Sequence, residues 1–364
     1  MKRRKIISVV GARPNFMKVA PMSREFKKHK DTFQHMIVHT GQHYDENMSK
    51  IFFEELAIPR PDINLGISGL MKQGEQTGRI MIEFEKVCEK EQPDLVLVYG
   101  DVNSTAAVAL VAAKMHIPIG HVEAGLRSFD RAMPEEINRL ITDAISDHLF
   151  THSTDANQNL KREGIDADKI HFVGNIMVDS LLFSRKKAEK STVLTQLSLQ
   201  KGRYAVLTLH RPANVDDSAN LEIIFGALGK VAASLPVIFP AHPRTTRLIK
   251  QYGIKIPTGI ILKEPLGYFD FLNLMMNAKF ILTDSGGIQE ETTVLGVPCL
   301  TLRNTTERPV TVKKGTNTLV GGSANKIIVE VGRILSGRGK SGKCPELWDG
   351  RTARRIVQVL KRKI

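Results

Sequence analysis

The chain has 364 residues, 42% of them hydrophobic, and a formal net charge of +14. That length gives room for two cores, and no apolar run reaches the ~18 residues of a membrane-spanning helix. The basic residues are dispersed, apart from 2–5, 185–187 and the C-terminal tail, and no zinc-finger or RNA-binding aromatic pattern accompanies them. The expected partner is therefore an anionic small substrate, with no nucleic acid and no membrane.

The basic N-terminus runs straight into an apolar stretch, 6–10. It is too short for a secretory leader, which predicts a first strand and a cytoplasmic protein. A helix over 16–29, a strand over 35–40, a helix over 48–56 and a short strand at 63–65 follow. Residues 73–91 carry the period of a long amphipathic helix. Strand 95–99, helix 105–115, strand 117–122, helix 135–144, strand 148–151 and strand 170–173 continue the alternation. Residues 184–202 are charged and polar and read as a linker. A second alternating run then begins with strand 204–209, helix 220–234, strand 236–239 and strand 260–262. It continues with helix 267–278, strands 279–282 and 298–302, and helix 325–336. A basic helix covers 351–361. Three cysteines, Cys88, Cys299 and Cys344, share no metal-ligand spacing and imply no disulfide framework.

Strict alternation, with continuous apolar strands such as 95–98, predicts parallel sheets covered on both faces. The expected fold is α/β, two doubly wound halves whose strand ends face each other across a cleft. Reactive groups in such folds sit just past the carboxyl ends of the strands. Arg13, Gln42, His43, Asp101 and Glu123 all fall there in the first half. Asp101 and Glu123 end neighbouring apolar strands, and Glu135 opens a helix after Pro134. Three carboxylates at one sheet edge make an acid/base set, because like charges held close push one pKa upward. Their spacing follows no metal-ligand pattern, so no metal is expected. Arg13 and Lys18 add positive charge at the same edge.

The second half is organised around Thr283-Asp-Ser-Gly-Gly-Ile-Gln-Glu-Glu291. An apolar strand precedes it and a helix follows. Ser285 is placed to cap that helix, and Gly286 and Gly287 let backbone approach a ligand closely. A helix N-terminus of this kind suits a phosphate or pyrophosphate. Glu291 lies in the first turns, where a carboxylate can answer a ribose hydroxyl. His210-Arg211-Pro212 and His242-Pro243-Arg244 repeat the strand-end pattern. Arg211 and Arg308 are guanidinium forks suited to phosphate oxygens. Neither a dinucleotide fingerprint nor a Walker motif is present. The first half thus reads as the acid/base half and the second as a nucleotide-diphosphate clamp.

As an ordered set these motifs resemble the non-hydrolysing UDP-N-acetylglucosamine 2-epimerases. The resemblance rests on Gly11-Ala-Arg-Pro-Asn-Phe-Met-Lys18, Gly100-Asp101, His121-Val-Glu-Ala-Gly-Leu-Arg127 and Pro134-Glu-Glu-Ile-Asn-Arg139. Thr208-Leu-His-Arg211, the 283–291 motif and Asn304-Thr-Thr-Glu-Arg-Pro309 complete it. It covers essentially the whole chain. It implies a GT-B fold of two Rossmann-like domains, 1–183 and 203–349, joined by 184–202, with a last helix at about 350–364 packing back on the first. It further implies a homodimer, no organic cofactor, and C2 inversion of UDP-N-acetylglucosamine through elimination and re-addition of UDP.

By the same resemblance Asp101, Glu123, Glu135 and His210 are catalytic. Arg13, Lys18, Arg211, His242, Ser285, Gly286, Gly287, Glu291 and Arg308 hold the nucleotide. Gln42, His43 and Gln73 would bind a second, regulating nucleotide sugar. Members regulated in this way usually carry a basic residue after the Gln-His pair. Here Tyr44-Asp45-Glu46 follows it, which speaks against an intact regulatory site. A related epimerase of a diacetamido uronic sugar nucleotide shares most of these motifs, and a GT-B glycosyltransferase would use the same clamp.

Overall fold

In the computed structural model, which describes residues 3–41, 58–69 and 71–364, two parallel sheets organise the chain. It divides into two units, Met1–Phe183 with Glu346–Ile364, and Ser184–Pro345.

The first unit runs β1 (Arg4–Val10), α1 (Arg13–Lys27), β2 (Phe33–His39), β3 (Ile63–Asn64), α2 (Gln73–Glu91), β4 (Leu95–Tyr99) and α3 (Asn103–Lys114). It continues with β5 (Ile119–Ala124), α4 (Pro134–Ile145), β6 (His148–Thr151), α5 (Thr154–Arg162), β7 (Ile170–Phe172) and α6 (Ile176–Ala188), within which the division after Phe183 falls. Its sheet order is β3-β2-β1-β4-β5-β6-β7, with every pairing parallel. The central strand β4 is apolar throughout because helices cover both faces; all five of its residues are sealed from solvent. On one face α2 contributes Ile80, Phe84, Val87 and Cys88 to the core. Beside it, the small residues of α3 allow close packing against α2 and α4.

The second unit runs α7 (Val193–Gln196), β8 (Ala205–Thr208), α8 (Pro212–Val215), α9 (Ser218–Ala232), β9 (Val237–Pro240), α10 (Pro243–Gln251) and β10 (Ile260–Lys263). Then come α11 (Tyr268–Asn277), β11 (Phe280–Thr283), α12 (Gly286–Leu295), β12 (Cys299–Thr301), α13 (Pro309–Lys313), β13 (Asn317–Leu319) and α14 (Ala324–Leu335). Its sheet order, β10-β9-β8-β11-β12-β13, is also wholly parallel. Counted from its own first strand, this is the same doubly wound order as the first sheet. Each sheet therefore has one point where the winding reverses, between β1 and β4 and between β8 and β11.

The last helix, α15 (Thr352–Lys363), belongs to the first unit and packs on α1. Buried Asp179 on α6 accepts its leading N–H groups, from Thr352 at 3.0 Å and Ala353 at 2.9 Å. A carboxylate there both caps the helix and answers its dipole. The only tryptophan, Trp348, donates its indole N–H to the His152 carbonyl at 2.8 Å.

Several boundaries differ from expectation for local reasons. Helix α1 begins at Arg13 rather than 16, with Pro14 in its first turn and the Asn15 amide oxygen accepting the N–H of Gly11 and Ala12. Strand β5 continues past 122, with a register shift between Val122 and Ala124 that sets Glu123 in a bulge. Short helices α8, α10 and α13 each open on a proline at the first turn, where its missing N–H costs nothing. The helix expected at 48–56, and the candidates Gln42 and His43, lie outside the described residues, as does the side chain of Arg13.

Candidate active site

In the first unit the chemistry gathers where the winding reverses. Gly100 ends β4 with φ +65, and a Cβ there would lie 2.5 Å from the Lys18 ammonium and 3.4 Å from Glu123 Oε2. Only glycine lets those groups close on this turn. The Lys18 ammonium and Glu123 carboxylate form an ion pair, and both side chains are almost sealed, at 6% and 3% exposure. Glu123 itself sits at φ +75, in the left-handed region that a non-glycine residue adopts at a cost of about 1–3 kcal/mol.

The neighbours of Glu123 hold it there. Asp143 accepts the Gly125 N–H at 3.0 Å and the Arg127 guanidinium at 2.7 Å, and its other oxygen lies 2.6 Å from His121 Nδ1. His121 Nε2 donates to the Gly100 carbonyl at 2.8 Å. Burial pushes the Asp143 carboxyl up, but His121 and Arg127 outweigh it and hold the group below its ordinary range. One buried network thus grips the turn after β4 and both sides of the bulge.

Asp101 is tied to the first turns of α4. Its carboxylate accepts from Arg139 Nη1, while Asn138 donates to its carbonyl at 2.9 Å. Arg139 also donates to Glu136 at 2.8 Å, and Glu136 accepts the N–H groups of Ser128 and Phe129 at 3.0 and 2.9 Å. Burial pushes Glu136 up; the Ser128 N–H and Arg139 outweigh it and hold it below the usual carboxylate range. Glu136 is therefore committed to structure. Its neighbour Glu135 is half-buried and makes no hydrogen bond or ion pair among the described residues. Gln73, at the start of α2, accepts from Asn103 at 2.6 Å, and Asn103 accepts from Asn138 at 3.2 Å. Gln73 is thereby joined to the same edge.

In the second unit the reversal point carries Asp284 and the N-terminus of α12. Ser285 occupies the N-cap position, but its side chain makes no capping bond. Its N–H donates to Thr283 Oγ1 at 3.0 Å, leaving the first N–H groups of α12 without intrahelical acceptors. A Cβ on Gly286 would collide with the Arg308 guanidinium. Arg308 Nε lies 3.0 Å from Glu290, and its Nη1 donates to Glu307. Glu307 also accepts from Arg303 at 2.7 Å, and Arg211 stands 3.8 Å away. Burial raises the Glu307 carboxyl, but the arginines, Arg308 first, hold it far below its ordinary range.

Asp284 is fully buried. Its Oδ2 accepts the N–H groups of His210 at 2.9 Å and Arg211 at 2.8 Å and the Asn214 amide at 3.2 Å; its Oδ1 lies 2.9 Å from His210 Nδ1. Burial raises this carboxyl, and His210 and the backbone donors bring it below its ordinary value. Glu291 accepts the Tyr268 hydroxyl at 3.0 Å. His242 accepts the Arg244 N–H at 3.2 Å and caps α10.

The structure therefore gathers Asp101, Glu123, Lys18 and Gln73 on the first sheet, with Glu135 on the helix that holds Asp101. It gathers His210, Arg211, Ser285, Gly286 and Arg308 around α12. Lys18 pairs with the Glu123 carboxylate. Sequence reasoning passed over Asp284, Glu307, Arg139 and the His121–Asp143 pair. Asp284 and Glu307 lie inside motifs already singled out, so a carboxylate amid the candidate phosphate-binding residues was the available signal.

The profile of the UDP-N-acetylglucosamine 2-epimerase family matches residues 24–361. A Methanococcus maripaludis protein described as a UDP-N-acetylglucosamine 2-epimerase homolog is 47% identical, over 98% of this chain and 99% of that protein. The UDP-2,3-diacetamido-2,3-dideoxy-D-glucuronate 2-epimerase of Pseudomonas aeruginosa is 44% identical, over 98% and 99%. The crystal structure of Methanocaldococcus jannaschii UDP-GlcNAc 2-epimerase in complex with UDP-GlcNAc and UDP superposes with a TM-score of 0.90 at 45% identity, over 98% and 99% of the two chains. With two doubly wound parallel sheets and GT-B-like solved neighbours, the chain belongs to the UDP-N-acetylglucosamine 2-epimerase family of isomerases.

Proposed function

We propose that the protein interconverts UDP-N-acetylglucosamine and UDP-N-acetylmannosamine by inverting C2 of the amino sugar. The C2 proton is weakly acidic. Its removal becomes feasible when the C1–O bond to the β-phosphate breaks on the opposite side, so that electrons from the C–H bond form the C1–C2 double bond and UDP takes the pair from C1–O. The products are UDP and 2-acetamidoglucal. UDP then adds back at C1 while a proton returns to the other face of C2. Atoms balance, and no cofactor is consumed.

The proposal assigns the sugar to the first unit and UDP to the second. Glu135 is the carboxylate able to take a proton without breaking an ion pair, since Asp101 is committed to Arg139 and Glu123 to Lys18. The open N–H groups of α12, with Arg308 and His210, suit a diphosphate whose charge grows as the bond breaks. The observation that carries the reading is this opposition of chemistry at equivalent places in two sheets, in a chain that matches the family along nearly its whole length. The reading brings with it a cytoplasmic homodimer, checked by light scattering of the purified protein.

A second reading, C2 epimerisation of a UDP-2,3-diacetamido uronic acid, is favoured by the 44% identity to the Pseudomonas enzyme. Both sugar nucleotides are incubated separately with the protein in deuterated water, without an acceptor, and followed by NMR. Deuterium at C2 together with the inverted product in the UDP-N-acetylglucosamine sample is the expected result. Exchange confined to the diacetamido sugar transfers the assignment to the second reading, and no exchange in either overturns both. Release of free N-acetylmannosamine with UDP would instead mark a hydrolysing epimerase.

A further inference from the structure

We propose that Asp284 is a positioning residue that fixes the tautomer of His210, so that Nε2 is the ring nitrogen offered to the leaving phosphate. The inference rests on the epimerase reading and deepens it.

The two oxygens of Asp284 do separate things. Oδ2 accepts three donors, the His210 N–H, the Arg211 N–H and the Asn214 amide. That oxygen staples the strand end of β8 to the turn after β11. Oδ1 faces His210 Nδ1 at 2.9 Å. An ionised carboxylate only accepts, and Oδ1 has no hydrogen-bond donor among the described residues, so its approach to Nδ1 favours the tautomer that carries the proton there. Asp284 is sealed while the His210 side chain is 48% exposed, so one ring nitrogen is spent inside the protein and Nε2 remains for a ligand.

Asp284 immediately precedes Ser285, the N-cap of α12. One buried carboxylate therefore places the His210 ring, the backbone of Arg211 and the start of the anion-binding helix relative to each other. With Nδ1 protonated, Nε2 has two useful states. Protonated, the ring donates to the oxygen leaving C1, and Asp284 balances the imidazolium charge. Deprotonated, Nε2 accepts in the return direction. The Nδ1 proton never moves, so the carboxylate orients the ring and does not itself carry a proton.

The staple and the tautomer can be separated with Asp284→Asn. An amide has one acceptor oxygen, and the three donors at Oδ2 require it. The NH2 group then faces Nδ1, which must become an acceptor, and the neutral ring moves its proton to Nε2. The measurement is proton-detected 15N NMR of histidine-labelled protein with UDP bound, with His210 assigned through His210→Asn. The expected result is a neutral ring protonated at Nδ1 in the unaltered protein and at Nε2 in D284N. UDP affinity should be little changed, and kcat should fall about a hundredfold to ten-thousandfold.

Protonation at Nε2 in the unaltered protein, the same tautomer in both proteins, or an unchanged kcat in D284N would overturn the proposal. The first of these is read on the unaltered protein, so it decides the matter even where D284N fails to fold. The tautomer is also read without turnover. An Nδ1-protonated ring in a protein that never exchanges C2 hydrogen would sink the epimerase reading and leave the positioning role standing.

Discussion

In the first unit carboxylates stand at the strand ends and basic groups hold them; in the second, a histidine and arginines stand at the strand ends and buried carboxylates hold them. Asp101 is more exposed than its partner, 27% against 2% for Arg139, and His210 is 48% exposed over a sealed Asp284. The same doubly wound order thus positions an acid in one unit and a base in the other by the same device. A charge placed out of water keeps its form only with partners that answer it, so each buried partner makes several bonds while the outer member keeps an accessible edge. The exception is instructive. Lys18 and Glu123 are both sealed, and Glu123 is fixed further by a left-handed backbone.

The comparison can be broken or sharpened by substitution. The largest effect is expected from Glu135→Gln: kcat should fall about 10²–10⁴-fold, with stability to urea held within about 0.5 kcal/mol. A matching loss of stability would place Glu135 with Glu136 among the structural carboxylates. Lys18→Met leaves Glu123 buried without its cation and should lower the unfolding free energy by about 3–5 kcal/mol. If Lys18 serves only as a nucleotide contact, stability will hold while UDP affinity falls. In the second unit Arg308→Lys loses the fork that meets Glu290 and Glu307 and borders Gly286. UDP binding measured by calorimetry should weaken by about 1.5–3 kcal/mol; unchanged binding would remove Arg308 from the anion site.

The smallest effect concerns acid. Glu307, Asp284, Asp143 and Glu136 all have folded-state values held below the ordinary carboxyl range. Below about pH 4 the unfolded chain therefore binds more protons than the folded one, and stability should rise with pH through that window. Glu307→Gln should flatten the rise, as read from urea midpoints across the acid range. An unchanged slope would mean that the arginines around Glu307 do not depress it.

Much of this was legible in the sequence because the fold is written in short-range signals. Apolar runs such as 95–99 mark buried parallel strands, and the glycine or proline turns after them mark the reactive edge. That is how Asp101, Glu123, His210 and the Ser285 turn could be singled out. What was hidden is the pairing across the sheets. Lys18 lies far along the chain from Glu123, and Asp284 from His210, so only the strand order brings them together. A lysine four residues after Pro14 does not announce the buried carboxylate with which it pairs. An aspartate inside Thr-Asp-Ser-Gly-Gly reads as turn chemistry until its burial is known. The bulge at Glu123 escaped notice for a related reason, since nothing in His-Val-Glu-Ala-Gly announces a left-handed glutamate.

The most direct measurement follows the oxygen that bridges C1 and the β-phosphate. UDP-N-acetylglucosamine carrying 18O at that bridge is incubated with the protein, and the recovered nucleotide sugar is read by 31P NMR. If UDP departs and returns while the second unit holds it, the label should spread into the non-bridging β-phosphate positions, and C2 hydrogen should exchange with solvent in the same sample. Inversion at C2 with the label still in the bridge would contradict the division of labour between the two sheets.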